Sequence, residues 1–355
     1  MSQERARGVG VEPILIVAVL TVVTVLVFDY TNGFHDAANV VATVIASRAM
    51  SPARAVVVVA VFEFLGPLLG GTAVANTIGG FVDLSGVDTL HSLSILLAGL
   101  LGAIGWNLLT WWWGIPSSSS HALVGGLVGA VLMAVGPGHV VWGFSGLWTG
   151  APVAGVSKVV LALLLSPLLG FVVGYLMHRL VSLLLRAARP VMNRRLRAAQ
   201  YVTTAGLAFS HGANDAQKSM GILTLVLLLG GFIPTFEVPF WVMLACAVAI
   251  TLGILSGGWR IVRTLGFAVY KVRPQHALES QLTSAAVIFS ASVAGAPVST
   301  SHVVASSIMG IGASEYPHRV RWGKAGEILA TWVVTIPASA LAGAALMGLL
   351  GPLFD

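Results

Sequence analysis

Two aspartates lie in matching surroundings in the two halves of the chain. Asp36 belongs to the run Asn-Gly-Phe-His-Asp-Ala-Ala-Asn, and Asp215 belongs to the run His-Gly-Ala-Asn-Asp-Ala-Gln-Lys. Apolar sequence flanks both runs, and because an isolated charge inside a membrane is costly, such residues usually face a cavity and serve a function. A carboxylate beside amide and carbonyl oxygens suits a hard cation, sodium or a divalent metal, and it can equally accept a proton. Asp36 and Asp215 are therefore predicted to bind a cation or a proton.

Two glycines and a third carboxylate accompany these aspartates. Gly33 and Gly212 occupy the same place in the two runs, and glycine tolerates the backbone conformations at which a helix breaks and exposes its carbonyls. We expect a helix break at each of them. Glu63 lies in the middle of the apolar stretch 55–80, so it is also predicted to serve ion or proton coupling.

A second pair of motifs, rich in hydroxyl groups, follows the aspartate runs. Pro116 opens the run Pro-Ser-Ser-Ser-Ser-His, and Pro297 opens the run Pro-Val-Ser-Thr-Ser-His. Each stands at a break in apolar sequence and begins a short new apolar segment, as at the tip of a re-entrant hairpin. The free N–H groups and the dipole of a helix N-terminus favour an anion, and hydroxyls can donate to a tetrahedral oxyanion. The predicted anion-binding residues are Ser118, Ser119, Ser120, Ser299, Thr300 and Ser301.

These motifs also have simpler interpretations. Serine and threonine are common N-cap residues, so capping alone would explain either motif taken singly, whereas two related motifs favour a shared anion site. His121 and His302 close the motifs. We expect both histidines to be structural, with hairpin orientation or proton relay as the alternative.

The composition is that of a membrane protein. Of the 355 residues, 57% are hydrophobic and 9% are charged, against about 25% charged residues in soluble domains. The net charge of +6 does not indicate nucleic-acid binding, because arginines concentrate in the stretch 179–197, as in a cytoplasmic loop beside a membrane. The single cysteine excludes an internal disulfide and a multi-cysteine metal site. We predict a multi-pass protein of the cell inner membrane, in contact with lipid and without a nucleic-acid partner.

The apolar stretches differ in length, and a helix needs about 20 apolar residues to cross a bilayer. They cover residues 12–31, 36–47, 55–80, 92–113, 121–136, 152–177, 200–231, 239–257, 279–296, 302–313 and 326–350. The short stretches lie beside the polar motifs, where discontinuous helices and re-entrant hairpins explain them better than independent spans. Irregular backbone at membrane depth is tolerated where protein or a water-filled cavity satisfies it.

The two halves of the chain are related but carry opposite loop charges. Both motif pairs occur in the same order at nearly the same offset, which indicates a duplication. Basic loops are cytoplasmic, and corresponding loops of the two halves reverse in character. The basic loops are 48–54, 258–275 and 315–324. Their counterparts in the other half, in the same order, are 232–238, 81–91 and 137–151, and these are not basic. The halves are therefore predicted to be inverted relative to each other.

Inverted repeats are the architecture of secondary transporters, which bind substrate near the midplane at the repeat interface. The predicted fold is an all-α polytopic membrane protein with two inverted-topology repeats, discontinuous helices and two re-entrant helical hairpins. We assign residues 1–178 to the first repeat, 179–199 to a basic cytoplasmic linker and 200–355 to the second repeat.

The sequence resembles the inorganic phosphate transporter (PiT) family. The run that starts at Asn32 and continues to Ile45 is similar to the first family signature, and Ser-His-Gly-Ala-Asn-Asp-Ala-Gln-Lys, ending at Lys218, is similar to the second. The paired Pro-x-Ser-Ser/Thr-Ser-His motifs also match, and the resemblance extends over the whole membrane core. It implies symport of inorganic phosphate, with phosphate held by the hairpin hydroxyls. It also implies cation sites at Asp36, Asn39, Asn214 and Asp215.

One departure bears on the coupling ion. In sodium-coupled members the second signature ends in Asn, whereas this chain has Lys218, at the position that corresponds to Asn39. An ammonium group there can replace a coupling cation electrostatically. We therefore expect coupling to protons, or transport of a metal–phosphate complex, as in the bacterial low-affinity branch, with sodium coupling as the alternative. No cofactor is expected beyond the coupling ion.

Other functions fit the sequence less well. A sulfate permease of the same fold is the nearest alternative, since hydroxyls and helix ends suit either anion. A passive anion channel would give flux without coupling. An intramembrane hydrolase that uses Ser120 with His121, or Ser301 with His302, leaves the inversion unexplained, so we do not expect an enzyme. Assembly as a homodimer is left open.

Overall fold

The computed structural model describes residues 11–150, 152–257, 261–262 and 270–353. Arg260 and Arg263, two of the basic residues in the loop 258–275, lie outside the described residues. Within the described part the regular structure is helical, and the only β-type pairing there is an isolated bridge between Val82 and Val140.

Twelve α-helices are labelled here in chain order. They are α1 Val11–Ala46, α2 Pro52–Leu69, α3 Ala73–Gly79, α4 Thr89–Trp113, α5 Ser119–Ala134, α6 Gly146–Thr149, α7 Gly155–Leu185, α8 Met192–Leu229, α9 Phe240–Ser256, α10 Pro274–Val293, α11 Thr300–Glu315 and α12 Trp322–Leu350. Short 3-10 helices cover Pro137–His139, Pro317–Arg319 and Gly351–Leu353. The basic stretch 179–197 includes the end of α7, the connection 186–191 and the start of α8.

Five helical segments in the described part are long and apolar enough to cross a membrane. They are Pro13–Ala46, Pro52–Leu69, Thr89–Trp113, Gly155–Leu185 and Trp322–Leu353. Large apolar side chains on these segments are exposed, among them Leu164 and Leu168 on α7 and Val333 and Leu341 on α12. Because hydrocarbon covers such faces in a membrane protein, the chain is an integral, multi-pass membrane protein.

The two signature helices are continuous, which corrects the expected breaks at Gly33 and Gly212. Helix α1 runs unbroken through Gly33, and α8 runs unbroken through Gly212. A Cβ atom at Gly33 would collide with the backbone carbonyl of Ile250 on α9, and one at Gly212 would collide with the carbonyl of Glu63 on α2. These glycines therefore serve close helix packing, and the polar signature lies on helix faces with satisfied backbone.

The chain does break at the serine motifs. Helix α4 ends before Gly114, which is in the left-handed conformation with φ 68°, and α5 begins at Ser119 after Pro116. Helix α10 likewise ends before Gly295, with φ 62°, and α11 begins after Pro297. The predicted short apolar segments are thus short helices whose N-termini carry the hydroxyl groups.

Helix packing follows one pattern in both halves. Helix α1 packs on α9 as α8 packs on α2, and α1 packs on α4 as α8 packs on α10. The short helix α5 packs between α4 and α12, as α11 packs between α10 and α7. Each half therefore covers the short helix of the other half with its last long helix. This packing brings the two serine motifs together with the signature faces of α1 and α8.

Candidate functional site

A buried polar cluster lies where the N-termini of α5 and α11 meet the middle of α1 and α8. Its carboxylates, Asp36 and Asp215, are 2% and 0% exposed, and Lys218 is 1% exposed. The hydroxyl residues predicted to bind an anion are all buried in the same cluster: Ser118, Ser119, Ser120, Ser299, Thr300 and Ser301.

Asp36 receives hydroxyl donors from both tips. The hydroxyl oxygens of Ser119 in the first tip and of Thr300 in the second each lie 3.4 Å from Oδ2 of Asp36. Ser301 donates to Oδ1 at 3.1 Å, and the His35 Nδ1 atom lies 2.6 Å from that same oxygen. One carboxylate therefore links the two serine motifs, which lie far apart in the sequence.

The six hydroxyls divide into two roles. Ser118 accepts a hydrogen bond from the His121 N–H at 3.2 Å, and Ser299 accepts one from the His302 N–H at 3.4 Å. These two are N-caps, as the simpler interpretation predicts. The remaining hydroxyls point into the polar cluster, and they belong to Ser119, Ser120, Thr300 and Ser301.

Asp215 contacts the ammonium group of Lys218, which lies on the same helix. The Lys218 Nζ atom donates to Asp215 Oδ1 at 2.6 Å, to Ser120 Oγ at 2.5 Å and to the carbonyl of Val298 at 2.9 Å. Thr300 donates to Asp215 Oδ2 at 3.1 Å. The ammonium group is thus surrounded by one carboxylate, one hydroxyl and one carbonyl oxygen, which are also the ligands that a hard metal cation takes.

The two asparagines of the signatures have different surroundings. Asn39 Nδ2 donates to Ser301 Oγ at 2.7 Å, so Asn39 lies within the polar cluster. Asn214 donates to Ser292 Oγ at 3.0 Å and to the Ala296 carbonyl at 3.2 Å, and it accepts from the Val298 N–H. Asn214 therefore holds the connection between α10 and α11 beside the cluster.

Glu63 reaches the cluster through a histidine. The His211 Nδ1 atom lies 2.7 Å from Glu63 Oε1, and its Nε2 atom lies 3.5 Å from Asp215 Oδ2. Ligand atoms of Asp36, His211 and Asp215 lie within 4.8 Å of one another, and all three residues are buried. The predicted pair of carboxylates thus comes together, with an imidazole as a third candidate metal ligand.

His121 and His302 pack against each other rather than against the carboxylates. Their rings lie 4.7 Å apart, and the ring of His302 stacks on Trp332 at 3.8 Å. This arrangement favours the structural interpretation of both histidines.

Three polar residues of the cluster are not among the predicted site residues: His35, His211 and Asn32. His35 and His211 neighbour the signature aspartates in the sequence, and His211 joins Glu63 to Asp215. Asn32 accepts a 2.5 Å hydrogen bond from Ser119. The available signal was spacing, because Asn32 precedes Asp36 by one helical turn and shares its face.

Comparison with known proteins finds similarity over most of the chain. Residues 32–343 match the model of the phosphate transporter family. The chain belongs to that family. A probable low-affinity inorganic phosphate transporter of Bacillus subtilis (strain 168) is 42% identical over 344 residues, 96% of this chain and 99% of the relative. One of Rhizobium meliloti (strain 1021) is 42% identical over 322 residues, 90% of this chain and 92% of the relative.

Two further comparisons extend the family relationship. The low-affinity inorganic phosphate transporter PitB of Escherichia coli (strain K12) is 37% identical over 230 residues, 59% of this chain and 45% of that protein. The solved structure of a sodium-dependent phosphate transporter superposes with a TM-score of 0.83, at 23% identity, over 95% of this chain and 100% of that one. The phosphate transporter family member described here therefore shares the fold of that structure, and its relatives are transporters rather than enzymes.

Proposed function

We propose that this chain is a secondary active symporter of inorganic phosphate, coupled to protons or carrying phosphate as a metal complex. Phosphate is held between the two tips by the hydroxyls of Ser119, Ser120, Thr300 and Ser301 and by free N–H groups of α5 and α11. Ser118 and Ser299 cap the helices and fix the shape of the tips. The coupling residues in this proposal are Asp36, Asn39, Glu63, Asn214, Asp215 and Lys218.

The architecture that goes with this function is a pair of inverted repeats with re-entrant hairpins. The reciprocal packing of the two halves supports it, since the contacts of the signature helices and of the short helices described above recur with the halves exchanged. The breaks between α4 and α5 and between α10 and α11 supply the two hairpin tips. In this proposal residues 1–178 and 200–355 are the repeats, joined by the basic cytoplasmic linker 179–199. Substrate sites at such an interface are typical of secondary transporters.

The observation that carries the coupling proposal is the position of Lys218. Its ammonium group takes the oxygen ligands that a bound cation would otherwise take beside Asp215. In the first half the corresponding position is Asn39, whose side chain is neutral, so it gives Asp36 no positively charged partner. Because the second site holds a permanent cation of the protein, two-sodium coupling is disfavoured, and a proton or a metal–phosphate complex supplies the remaining charge.

The carboxylates at the tips favour phosphate over sulfate. Thr300 contacts both Asp36 and Asp215, so an anion held by that hydroxyl lies close to two carboxylates. Inorganic phosphate near neutral pH is a mixture of singly and doubly protonated anions, and because both forms keep an O–H group, either can donate to a carboxylate. Sulfate has no such donor and meets repulsion there.

The test is uptake of radiolabelled phosphate into proteoliposomes under imposed ion gradients. We expect accumulation with a pH gradient in the absence of sodium, and we expect arsenate but not sulfate to compete. Robust accumulation under a sodium gradient alone would refute the coupling proposal. Sulfate competition as strong as that of arsenate would favour the permease alternative, and unsaturable flux without accumulation would indicate a channel.

The substitution Lys218→Asn tests the role of the ammonium group. Removing it opens the oxygen ligands of Asp215, Ser120 and Val298 to an external cation, so we expect phosphate uptake to become sodium-dependent. Lys158→Asn is the matched control, because Lys158 is partly buried and donates to Thr77 outside the cluster. A K218N variant that folds and still ignores sodium would contradict the assignment.

A further inference from the structure

Asp29 is a fourth buried carboxyl group on the helices that form the site, and no motif marks it. It lies on α1, two turns before Asp36, and Asn32 lies between them at helical spacing. Residues three, four and seven apart share a helix face, so Asp29 belongs to the same polar face of α1 as the candidate site.

The surroundings of Asp29 differ from those of the other buried carboxylates near the site. Asp36, Glu63 and Asp215 each have a histidine, lysine or hydroxyl partner. Asp29 is 0% exposed, and neither of its carboxyl oxygens has a hydrogen-bond partner. The Ser219 hydroxyl on α8 and the Cys246 thiol on α9 face it as weak donors, at a geometry that falls short of a regular hydrogen bond.

The charges that act on Asp29 are of its own sign. The charged groups that face it are the carboxylates Asp215 from α8 and Glu63 from α2, and the neutral thiol of Cys246 from α9 is a further titratable neighbour. An ionised carboxylate that is buried near other carboxylates, with only weak donors beside it, is costly. The arrangement therefore accommodates the carboxyl with its proton attached, and the charge becomes tolerable only when the surrounding helices admit water.

A polar connection joins Asp29 to the candidate site. Ser219 follows Asp215 by one helical turn on α8, so both residues face the same side. The Ser219 hydroxyl, which is also buried without a partner, lies beside Asp29. Ser219 thus stands between the unpaired carboxyl and the carboxylate that binds Lys218.

We propose that Asp29 carries the coupling proton of the transport cycle. It binds a proton from the side where the site opens, keeps it while buried, and releases it to water on the other side, which restores the carboxylate. This inference rests on the proposed phosphate symport. It concerns a residue outside both signatures and both serine motifs.

The experiment compares two modes of phosphate movement in proteoliposomes that contain Asp29→Asn. Asparagine resembles the neutral acid in shape but cannot release a proton. We expect equilibrium exchange of labelled phosphate to stay within about twofold of wild type, because exchange needs no net proton movement. Accumulation driven by a pH gradient should fall to the level of protein-free vesicles. Cys246→Ala, which alters the neighbouring thiol only, should retain both modes.

The outcomes separate this inference from the proposed function. If D29N accumulates phosphate like wild type, or if it loses exchange as well as accumulation, the inference is wrong. If D29N does not elute as a monodisperse protein, Asp29→Glu decides: a folded D29E should accumulate phosphate in a pH-dependent way, and failure to do so overturns the inference. A wild-type protein that exchanges no phosphate would overturn the proposed function together with the inference.

Discussion

Thr300 is the residue through which both signature aspartates contact the same tip. Its hydroxyl lies 3.4 Å from Asp36 Oδ2 and 3.1 Å from Asp215 Oδ2. A hydroxyl group has only one proton to donate, so it cannot satisfy both carboxylates at once. An anion that enters between the tips therefore competes with the aspartates for this donor, which gives a physical link between anion binding and the state of the carboxylates.

Replacing Thr300 with valine removes that donor and keeps the shape of the side chain. Loss of one hydrogen bond to a charged partner costs about 1–3 kcal/mol, so we expect the KM for phosphate to rise roughly tenfold. Uptake kinetics in proteoliposomes would measure it. Thr331→Val is the control, since the Thr331 hydroxyl bonds only the carbonyl of Glu327 in its own exposed helix turn. An unchanged KM in T300V would remove this hydroxyl from the anion site.

The buried pair of Glu63 and His211 ties α2 to α8 beside the site. Both side chains are 0% exposed, and their atoms approach to 2.7 Å. Breaking a buried ionic pair by removing one partner is strongly destabilising, because the other partner stays buried without compensation. Glu63 therefore supports the position of Asp215 through His211, in addition to any part in coupling.

The glycines of the signature helices act through helix packing. A methyl group at Gly212 would meet the Glu63 carbonyl of α2, whereas the same group at Gly206, also on α8, would meet nothing within 4 Å. We expect Gly212→Ala to destabilise the protein by about 1–3 kcal/mol, as overpacking does. Gly206→Ala should leave stability unchanged or raise it by about 0.5–1 kcal/mol, since alanine favours helix.

Thermal unfolding in detergent would compare these two alanine variants. The packing argument predicts a lower unfolding temperature for G212A and an equal or higher one for G206A. Equal unfolding temperatures for G212A and wild type would show that α2 and α8 can separate without cost, and the close approach at Gly212 would then have no energetic role.

Sequence patterns predicted the helix ends better than the helix interiors. Pro116 and Pro297, each followed by hydroxyl residues, marked the N-termini of α5 and α11 closely. The signature run around Asp36 was interpreted as a break because its polarity interrupts the apolar pattern. A continuous helix satisfies its own backbone, and its polar side chains found partners on other helices. Those partners are tertiary information that a single sequence does not contain.

The sequence predicted most residues of the buried polar cluster but not the contacts between them. Spacing in the duplicated motifs was enough to select Asp36, Asp215 and the serine motifs. The chain from Glu63 through His211 to Asp215 depends on how α2 crosses α8, which no local pattern reveals. Asp29 was missed because it lies inside the apolar stretch 12–31, where hydropathy alone gives it no weight.

The proposed inversion of the two halves can be tested from outside the cell. Ala53 follows α1 at the start of α2, and Thr235 lies at the corresponding place after α8; both are exposed. We expect Thr235→Cys to react with a membrane-impermeant maleimide in intact cells and Ala53→Cys to react only after the cells are opened. Cys246 is 0% exposed, so the wild-type protein serves as the unlabelled background.

Labelling of both cysteines from the same side would place corresponding loops together and contradict the inversion. It would also remove the reason for expecting a binding site at a midplane interface. The phosphate transporter family membership would stand in either case, because it rests on the match of residues 32–343.

Each short helix is covered by a long helix of the other half, and this has a consequence for biosynthesis. Helix α5 is made early, but the helix that packs on it, α12, is made only after α11. Until α11 is made, the first serine tip lacks the second tip that faces it, and until α12 is made, α5 lacks the helix that covers it. A nascent chain that stalls before α12 therefore presents an unfinished polar surface inside the bilayer, where membrane proteases and insertases can recognise it as incomplete.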